Sequence, residues 1–323
     1  MHHTVISTFT LIKLLAYISH HRQEENPLKR QTYLITGASS GFGKGIAFGL
    51  AKAGELVIAG VETTSEVSVL RKEAQTQGLK LQIEKLDVTD PADRQRAWTW
   101  DVDVLLNNAG ISEGGSLVDI PEERLRNQFE VNIFGPILLT QKIAKQMVKK
   151  NHGKIVFMSS AFGLMSDPLV GAYCGTKHTI EAFAEALSKE LQEFHIQVAT
   201  INPGPYLTGF NDRGFEMWQF WQGNPSERLF DYEQLAFPYE QLKPEKVIEE
   251  AIKIVTGENN QYRNVIPKPM SVVVKARQKA LWDRKTDEHL GQRHKLVQKS
   301  LDINPETRPV TGLINKIKDT LSD

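Results

Sequence analysis

Tyr173 and Lys177 stand four residues apart in Gly171-Ala172-Tyr173-Cys174-Gly175-Thr176-Lys177. On a helix that spacing puts both side chains on one face, close enough to touch. A phenol with a pKa near 10 is a poor acid–base catalyst at neutral pH. An ammonium beside it favours the phenolate and moves proton exchange toward the working range. Ser160, thirteen residues before Tyr173, offers a hydroxyl that can hold a substrate oxygen for that exchange. Each residue alone has a plainer reading. Ser160 follows Ser159 and fits a turn cap, Tyr173 fits a core aromatic with a locally bonded hydroxyl, and Asn132 fits a break in a helix. Cys174 reads as a small buried side chain.

A second group is Thr36-Gly37-Ala38-Ser39-Ser40-Gly41-Phe42-Gly43, followed by helical text from Lys44. Glycines at a strand-to-helix turn let the backbone approach a pyrophosphate, and the helix N-terminus offers it free N–H groups. The spacing G-x-x-x-G-x-G is one residue off the standard dinucleotide fingerprint. A tight turn that needs positive φ accounts for one glycine there, not for three in seven residues.

The elements that must hold these groups come from the apolar runs. Tyr33–Thr36, Leu56–Val61, Leu81–Leu86, Val104–Asn107, Lys154–Met158 and Val198–Ile201 read as strands, with a weaker one at Asn264–Ile266. They are short and apolar on both sides, and most are separated by enough chain for a helix. That is the pattern of an α/β fold, a doubly wound parallel sheet covered on both faces.

The 323 residues, 40% hydrophobic and 24% charged, suffice for one large α/β domain and show no signature of disorder. Lys plus Arg equals Asp plus Glu at 39 each, which removes the global electrostatic case for a nucleic-acid partner. The single cysteine excludes a disulfide scaffold, favours a reducing, cytoplasmic setting, and leaves no Cys/His cluster with zinc-ligand spacing. Thr4–Ile18 is apolar but short of the ~20 residues a bilayer span needs, and lacks the flanks of a signal peptide. Leu11, Leu14, Leu15 and Ile18 suggest an amphipathic helix, packed on protein or, alternatively, resting on a membrane surface. Residues 1–30 therefore read as a helical extension and linker, 31–270 as the main domain, and 271–323 as a helical C-terminal extension. The basic run Lys275, Arg277, Lys279, Arg284, Lys285 reads as a solvated face, with an anionic membrane as the alternative.

In order, these motifs resemble the short-chain dehydrogenase/reductase family over about Thr32–Pro267. The turn Thr36–Gly43 is similar to its T-G-x-x-x-G-x-G. Asp87 in Leu86-Asp87-Val88 resembles its acidic residue near the adenine, and Asn107-Asn108-Ala109-Gly110 its N-N-A-G. Asn132, Ser160 and Tyr173-x-x-x-Lys177 match its catalytic residues, and Pro203-Gly204-Pro205-Tyr206-Leu207-Thr208 its P-G-x-x-x-T. Val131–Pro136, Ala172–Cys174 and Thr208-Gly209-Phe210 resemble the hydroxysteroid-dehydrogenase-like branch. The resemblance implies a Rossmann-type single domain that binds NAD or NADP. Gly37, Ser39, Ser40, Gly41, Phe42, Gly43, Glu62, Asp87, Val88, Asn108, Ala109, Gly110, Pro203, Gly204 and Thr208 would line the cofactor, together with Tyr173 and Lys177. It further implies hydride transfer between nicotinamide C4 and a carbonyl carbon, with Tyr173 as acid/base and Asn132 holding a water that relays protons from Lys177. A homodimer or homotetramer, paired through the helices after Glu122 and around Tyr173, is also implied.

Glu62 at the end of the second strand favours NAD, because a carboxylate accepts from a ribose 2′-OH and repels a 2′-phosphate. NAD-preferring relatives usually carry Asp one position earlier, where this chain has Val61. Ten aromatics between Pro205 and Lys243 suggest an apolar wall for a bulky alcohol or ketone, with core or interface cover as the alternative. Two other readings are a non-catalytic dinucleotide sensor, which the presence of Tyr173 and Lys177 disfavours, and a membrane-associated lipid or retinoid reductase.

Overall fold

The apolar runs become strands whose residues alternate between two covered faces. In the computed structural model, which describes residues 30–303, β1 (Thr32–Thr36), β2 (Leu56–Val61), β3 (Gln82–Lys85), β4 (Val104–Asn107), β5 (Gly153–Met158), β6 (Ile196–Pro203) and β7 (Arg263–Ile266) form one sheet. Its order is β3-β2-β1-β4-β5-β6-β7, and every pairing is parallel. The weak seventh run is thus an edge strand. The N-terminal segment Thr4–Ile18 and residues 304–323 lie outside the described residues.

Parallel pairing demands crossovers. They are supplied by α1 (Gly41–Lys52), α2 (Thr64–Thr76), α3 (Pro91–Ala97), α4 (Glu122–Phe129), α5 (Gly135–Lys150), α6 (Gly171–Glu190), α7 (Phe210–Glu216) and α8 (Glu245–Thr256). The strand period of two splits β1: Tyr33 and Ile35 join Ile46, Leu50, Leu70 and Ile254 under α1, α2 and α8, whereas Leu34 joins Leu139, Ile143 and Ile180 under α5 and α6. Both faces are covered. The strand order reverses between β1 and β4, and the crevice beyond their carboxyl ends is where such sheets bind ligands.

A third cluster lies beyond the sheet. Phe215, Trp221, Tyr232 and Phe237 are buried there with Phe162, Leu169 and Tyr173. Edge-on contacts of 5.5 Å between Phe215 and Phe237 and 4.8 Å between Trp221 and Tyr232 knit it together. Most of the aromatics expected to wall a substrate pocket therefore pack as core, and Tyr206 and Phe210 are the two that reach the cleft. Tyrosine hydroxyls made this inward packing affordable: Tyr232 Oη donates to Asp119 at 2.6 Å.

The C-terminal text forms α9 (Met270–Asp283) and α10 (Lys295–Asp302). Val274 and Val297 enter the third cluster. Ser300 Oγ donates to the Ala236 carbonyl at 2.5 Å, and the Ala236 amide returns a bond of 3.0 Å to the Ser300 carbonyl. Arg277 departs from the solvated face expected of it. Its Nη1 lies 3.0 Å from Asp167 Oδ2, on a carboxylate 1% exposed. Among the described residues no helix is long and apolar enough to cross a membrane.

Candidate active site

The turn after β1 and the turn after β4 are tied into one unit by Thr36 and Asn108. Thr36 Oγ1 accepts the amides of Asn108 and Ala109, each at 3.0 Å. Asn108 Nδ2 donates to the carbonyls of Thr36 and Gly37 at 2.9 and 3.0 Å. Gly37 has φ +64°, and a Cβ there would stand 2.7 Å from Ala109 Cα. A Cβ on Gly43 would stand 2.3 Å from the Gly37 carbonyl oxygen. Both positions exclude a side chain. Ser40, at the N-cap of α1, makes no side-chain cap bond and the first turn holds no acid, so the orphan amides stay available to an anion.

The acidic positions lie at the next turns along the crevice. Asp87 Oδ1 accepts from the Thr89 amide at 2.8 Å and its hydroxyl at 2.7 Å. The Asp87 amide rests on Asp93 Oδ2 at 2.9 Å. Burial opposes the charge of Asp93, yet bonds from Lys85, that amide and Arg96 together hold it below the usual carboxylate range. Glu62, Glu66 and Asp87 face one end of the cleft. Partial burial raises Glu62 above its ordinary value, and its neighbours Asp87 and Glu66 add to the rise.

The other end gathers the acid–base candidates. A π-helical turn, Glu130–Phe134, sits between α4 and α5 and carries Asn132. Its Nδ2 donates to the Ile111 carbonyl at 2.9 Å and Thr176 Oγ1 at 3.0 Å, while Oδ1 accepts the Ile111 amide at 2.8 Å. Both of its N–H donors are thereby spent on structure, and Oδ1 keeps one lone pair. Four residues on, Pro136 has no N–H to return to the Asn132 carbonyl. Ser160 leaves β5, its Oγ capping the Phe162 amide at 3.1 Å and donating to the Pro203 carbonyl at 3.4 Å, close enough to Tyr173 to favour its ionised form. Lys177 donates to the Met158 carbonyl at 2.7 Å, and its Nζ lies 5.5 Å from the Tyr173 ring centre.

The charge balance in this pocket differs from the sequence expectation. Burial pushes the Tyr173 phenol well above its ordinary value, with only partial relief from Ser160. Burial also pulls Lys177 down to about 8, against the pull of Glu181. In the chain alone, desolvation is the largest influence on both groups.

One cleft of about 690 Å³ joins the two ends. It is lined by Gly37, Ser39, Ser40, Gly41, Phe42, Glu62, Asp87, Val88, Asn108, Ala109, Gly110, Ser160, Tyr173, Lys177, Pro203, Gly204 and Thr208. Two of the residues singled out in the sequence, Gly43 and Asn132, stand behind its wall. Sequence reasoning passed over Phe162, Asn211 and Arg213, which also line it. Their segments, the short turn Ala161–Gly163 and α7, carry no motif, and only proximity to Ser160 and Thr208 in the chain could have flagged them.

A doubly wound sheet with a glycine-cradled crevice and a buried Ser–Tyr–Lys group defines a dinucleotide-dependent oxidoreductase. Residues 31–217 match the short chain dehydrogenase family, and the chain belongs to that family. It is an NAD(P)-dependent dehydrogenase/reductase acting on CH–OH groups. It is 37% identical over 191 residues to a 3-ketodihydrosphingosine reductase of Bacteroides thetaiotaomicron, covering 57% of this chain and 67% of that one. With an NADPH-dependent 3-dehydrocapnine reductase of Ornithobacterium rhinotracheale it shares 32% over 184 residues, covering 54% and 65%. The matches thus span about two thirds of these relatives. The crystal structure of a short-chain dehydrogenase from Streptomyces avermitilis superposes with a TM-score of 0.64 at 27% identity, covering 79% of this chain and 94% of that one.

Proposed function

We propose that the chain interconverts a bulky, largely apolar secondary or primary alcohol and its ketone or aldehyde, with NAD(H) as the preferred cofactor. The observation that carries this reading is the meeting of Ser160, Tyr173 and Lys177 in the same cleft as the glycine turn. The two sterically closed glycines and the uncapped first turn of α1 fit a dinucleotide pyrophosphate. When bound, the nicotinamide supplies or accepts the hydride.

The chain's own groups do the rest. Ser160 Oγ hydrogen-bonds the substrate oxygen, and Tyr173 Oη gives it a proton in reduction or takes one in oxidation. Lys177, as the ammonium, stabilises the phenolate so formed. Both Asn132 Nδ2 hydrogens are engaged, so a relay water would be held as a donor to its remaining Oδ1 lone pair or to its main-chain carbonyl, which Pro136 leaves without an i+4 donor. Phe210, its ring centre 5.6 Å from that of Tyr173, together with Phe162 gives the substrate end an apolar wall. That wall supports a ketone with hydrophobic flanks, and the two relatives' names, a 3-ketodihydrosphingosine and a 3-dehydrocapnine reductase, give 3-oxo compounds to include in a screen. Exposed Phe134 at the end of the π-helical turn, Leu138 on α5 and Phe183 on α6 support pairing of two copies there.

The test is a panel of steroid, retinoid, aryl and long-chain 3-oxo compounds with both cofactors, read at the nicotinamide absorbance. Turnover confined to apolar ketones or alcohols is expected. Turnover only with sugars or small hydrophilic acids would remove the substrate class.

A further inference from the structure

The cleft is short of positive charge for the ligand it is proposed to take. Its lining includes Glu62, Glu66 and Asp87, whereas among the described residues its cationic side chains are Lys177 and Arg213. Lys177 is buried beside Tyr173 and bonded to the Met158 carbonyl. A dinucleotide pyrophosphate carries two negative charges, and the amides of α1 supply only partial positive charge against them.

Arg213 is placed to make up the difference. It sits on α7, and helical side chains lean toward the N-terminus of their helix. Its guanidinium folds back over Gly209, where a Cβ would meet Nη1 at 2.8 Å. Gly209 has φ +73° and follows Thr208, and Thr208 Cβ lies 3.5 Å from where a Cβ on Gly41 would stand. Gly41, Thr208, Gly209 and Arg213 therefore form a continuous path from the glycine turn to the guanidinium. Among the described residues no carboxylate stands within ion-pair distance of it. Its neighbour Asp212 is buried and accepts from Gln241 Nε2 at 3.1 and 3.0 Å.

We infer that Arg213 pairs with the pyrophosphate of the bound dinucleotide, closing the phosphate cradle from the side opposite α1. This rests on the reading of the cleft as a dinucleotide site. A guanidinium suits the task because its planar fork meets two phosphate oxygens at once.

The experiment is calorimetric titration of the full chain and of Arg213→Ala and Arg213→Lys with NADH, ADP and adenosine. Arg213→Ala should weaken NADH and ADP about tenfold, the scale of a lost charge-assisted contact, and leave adenosine unchanged. Arg213→Lys should restore part of the loss, and rising salt should shrink the difference. Unchanged NADH and ADP affinity in Arg213→Ala overturns the inference, all the more if KM for the carbonyl substrate rises, since the cation then reads substrate. Equal weakening of adenosine also overturns it, as that marks a general disturbance of the site. A wild-type chain that binds none of the three ligands overturns the cleft assignment itself, and the inference with it.

Discussion

Lys177 Nζ stands 5.5 Å from the centre of the Tyr173 ring while donating at 2.7 Å to the carbonyl of Met158. The carbonyl at the end of β5 fixes the ammonium beside the phenol, as the proposed proton exchange requires. Tyr173→Phe keeps the ring and its contact with Phe210 but removes the transferable proton. Turnover should fall at least ~100-fold, the lower end of what general acid–base catalysis supplies. NADH titration by fluorescence should show binding retained. A mutant that turns over within a few-fold of wild type removes Tyr173 from the chemistry.

Burial brings Lys177 to about 8, which gives the reaction a pH signature. Below that value the side chain is cationic and supports the phenolate; above it, the neutral amine gives no such support. For reduction, kcat/KM should therefore be level on the acid side and decline as pH rises through about 8. The check is a pH profile at saturating NADH. A level profile well into the alkaline range would show that Lys177 keeps its proton there or that its charge does not matter.

Gly43 predicts a mutant defective in architecture, not in chemistry. An alanine Cβ would be 2.3 Å from the Gly37 carbonyl oxygen and 2.4 Å from Asn108 Nδ2. Neither neighbour is free to yield, since Asn108 Nδ2 bridges the two turns. Gly43→Ala should cost about 1–3 kcal/mol in urea unfolding, as overpacking does, and weaken NADH binding. Normal stability with normal affinity would mean that the turn tolerates a shift.

The two turns and the Tyr–Lys pair were legible in the sequence because each is local: a strand end, a glycine spacing, an i,i+4 step. All seven strands were located for the same reason, the period-two and two-sided apolar runs being short-range signals. What joins distant segments was not. The aromatics after Pro205 looked like pocket wall, and nothing local told Trp221 and Tyr232, which pack inward, from Tyr206 and Phe210, which reach the cleft. The burial of Tyr173 and Lys177 was not legible either, because helical spacing reports proximity and not depth.

Arg277 is a further case in which partners far apart in sequence decide the outcome. It reaches Asp167, 110 residues away, and the same carboxylate accepts from Tyr239 Oη. Arg277→Ala leaves a carboxylate 1% exposed with its main countercharge gone. Because Arg277 is itself part-exposed, a loss of roughly 1–3 kcal/mol is expected, below the cost of breaking a fully buried pair. Urea denaturation checks it. A midpoint within error of wild type would mean that water replaces the guanidinium.

The proposed preference for NAD(H) rests on Glu62. It follows β2, borders the cleft with Glu66 and Asp87, and is partly desolvated by its place there. A carboxylate at that point can accept from a ribose 2′-OH. A 2′-phosphate would instead bring a charge of about −1.5 to −2 against it. At ~4 Å and an effective dielectric near 20, each pair of unit charges costs about 4 kcal/mol before solvent screening. Screening at this half-open site reduces the figure but not its sign. Among the described residues no nearby base offsets it: the turn carries Ser40, and Lys44 is committed to Glu73 at 3.1 Å. Wild type should therefore favour NAD(H) in kcat/KM, and Glu62→Ala should move the ratio toward NADP(H) by about tenfold or more, the equivalent of 1.4 kcal/mol. Glu73→Gln should push the same way by releasing Lys44, with a smaller effect because Lys44 starts farther from the ribose end. The measurement is kcat/KM for both cofactors in the three proteins. A wild-type preference for NADP(H), or a ratio that Glu62→Ala leaves unmoved, would show that the carboxylate does not face the ribose.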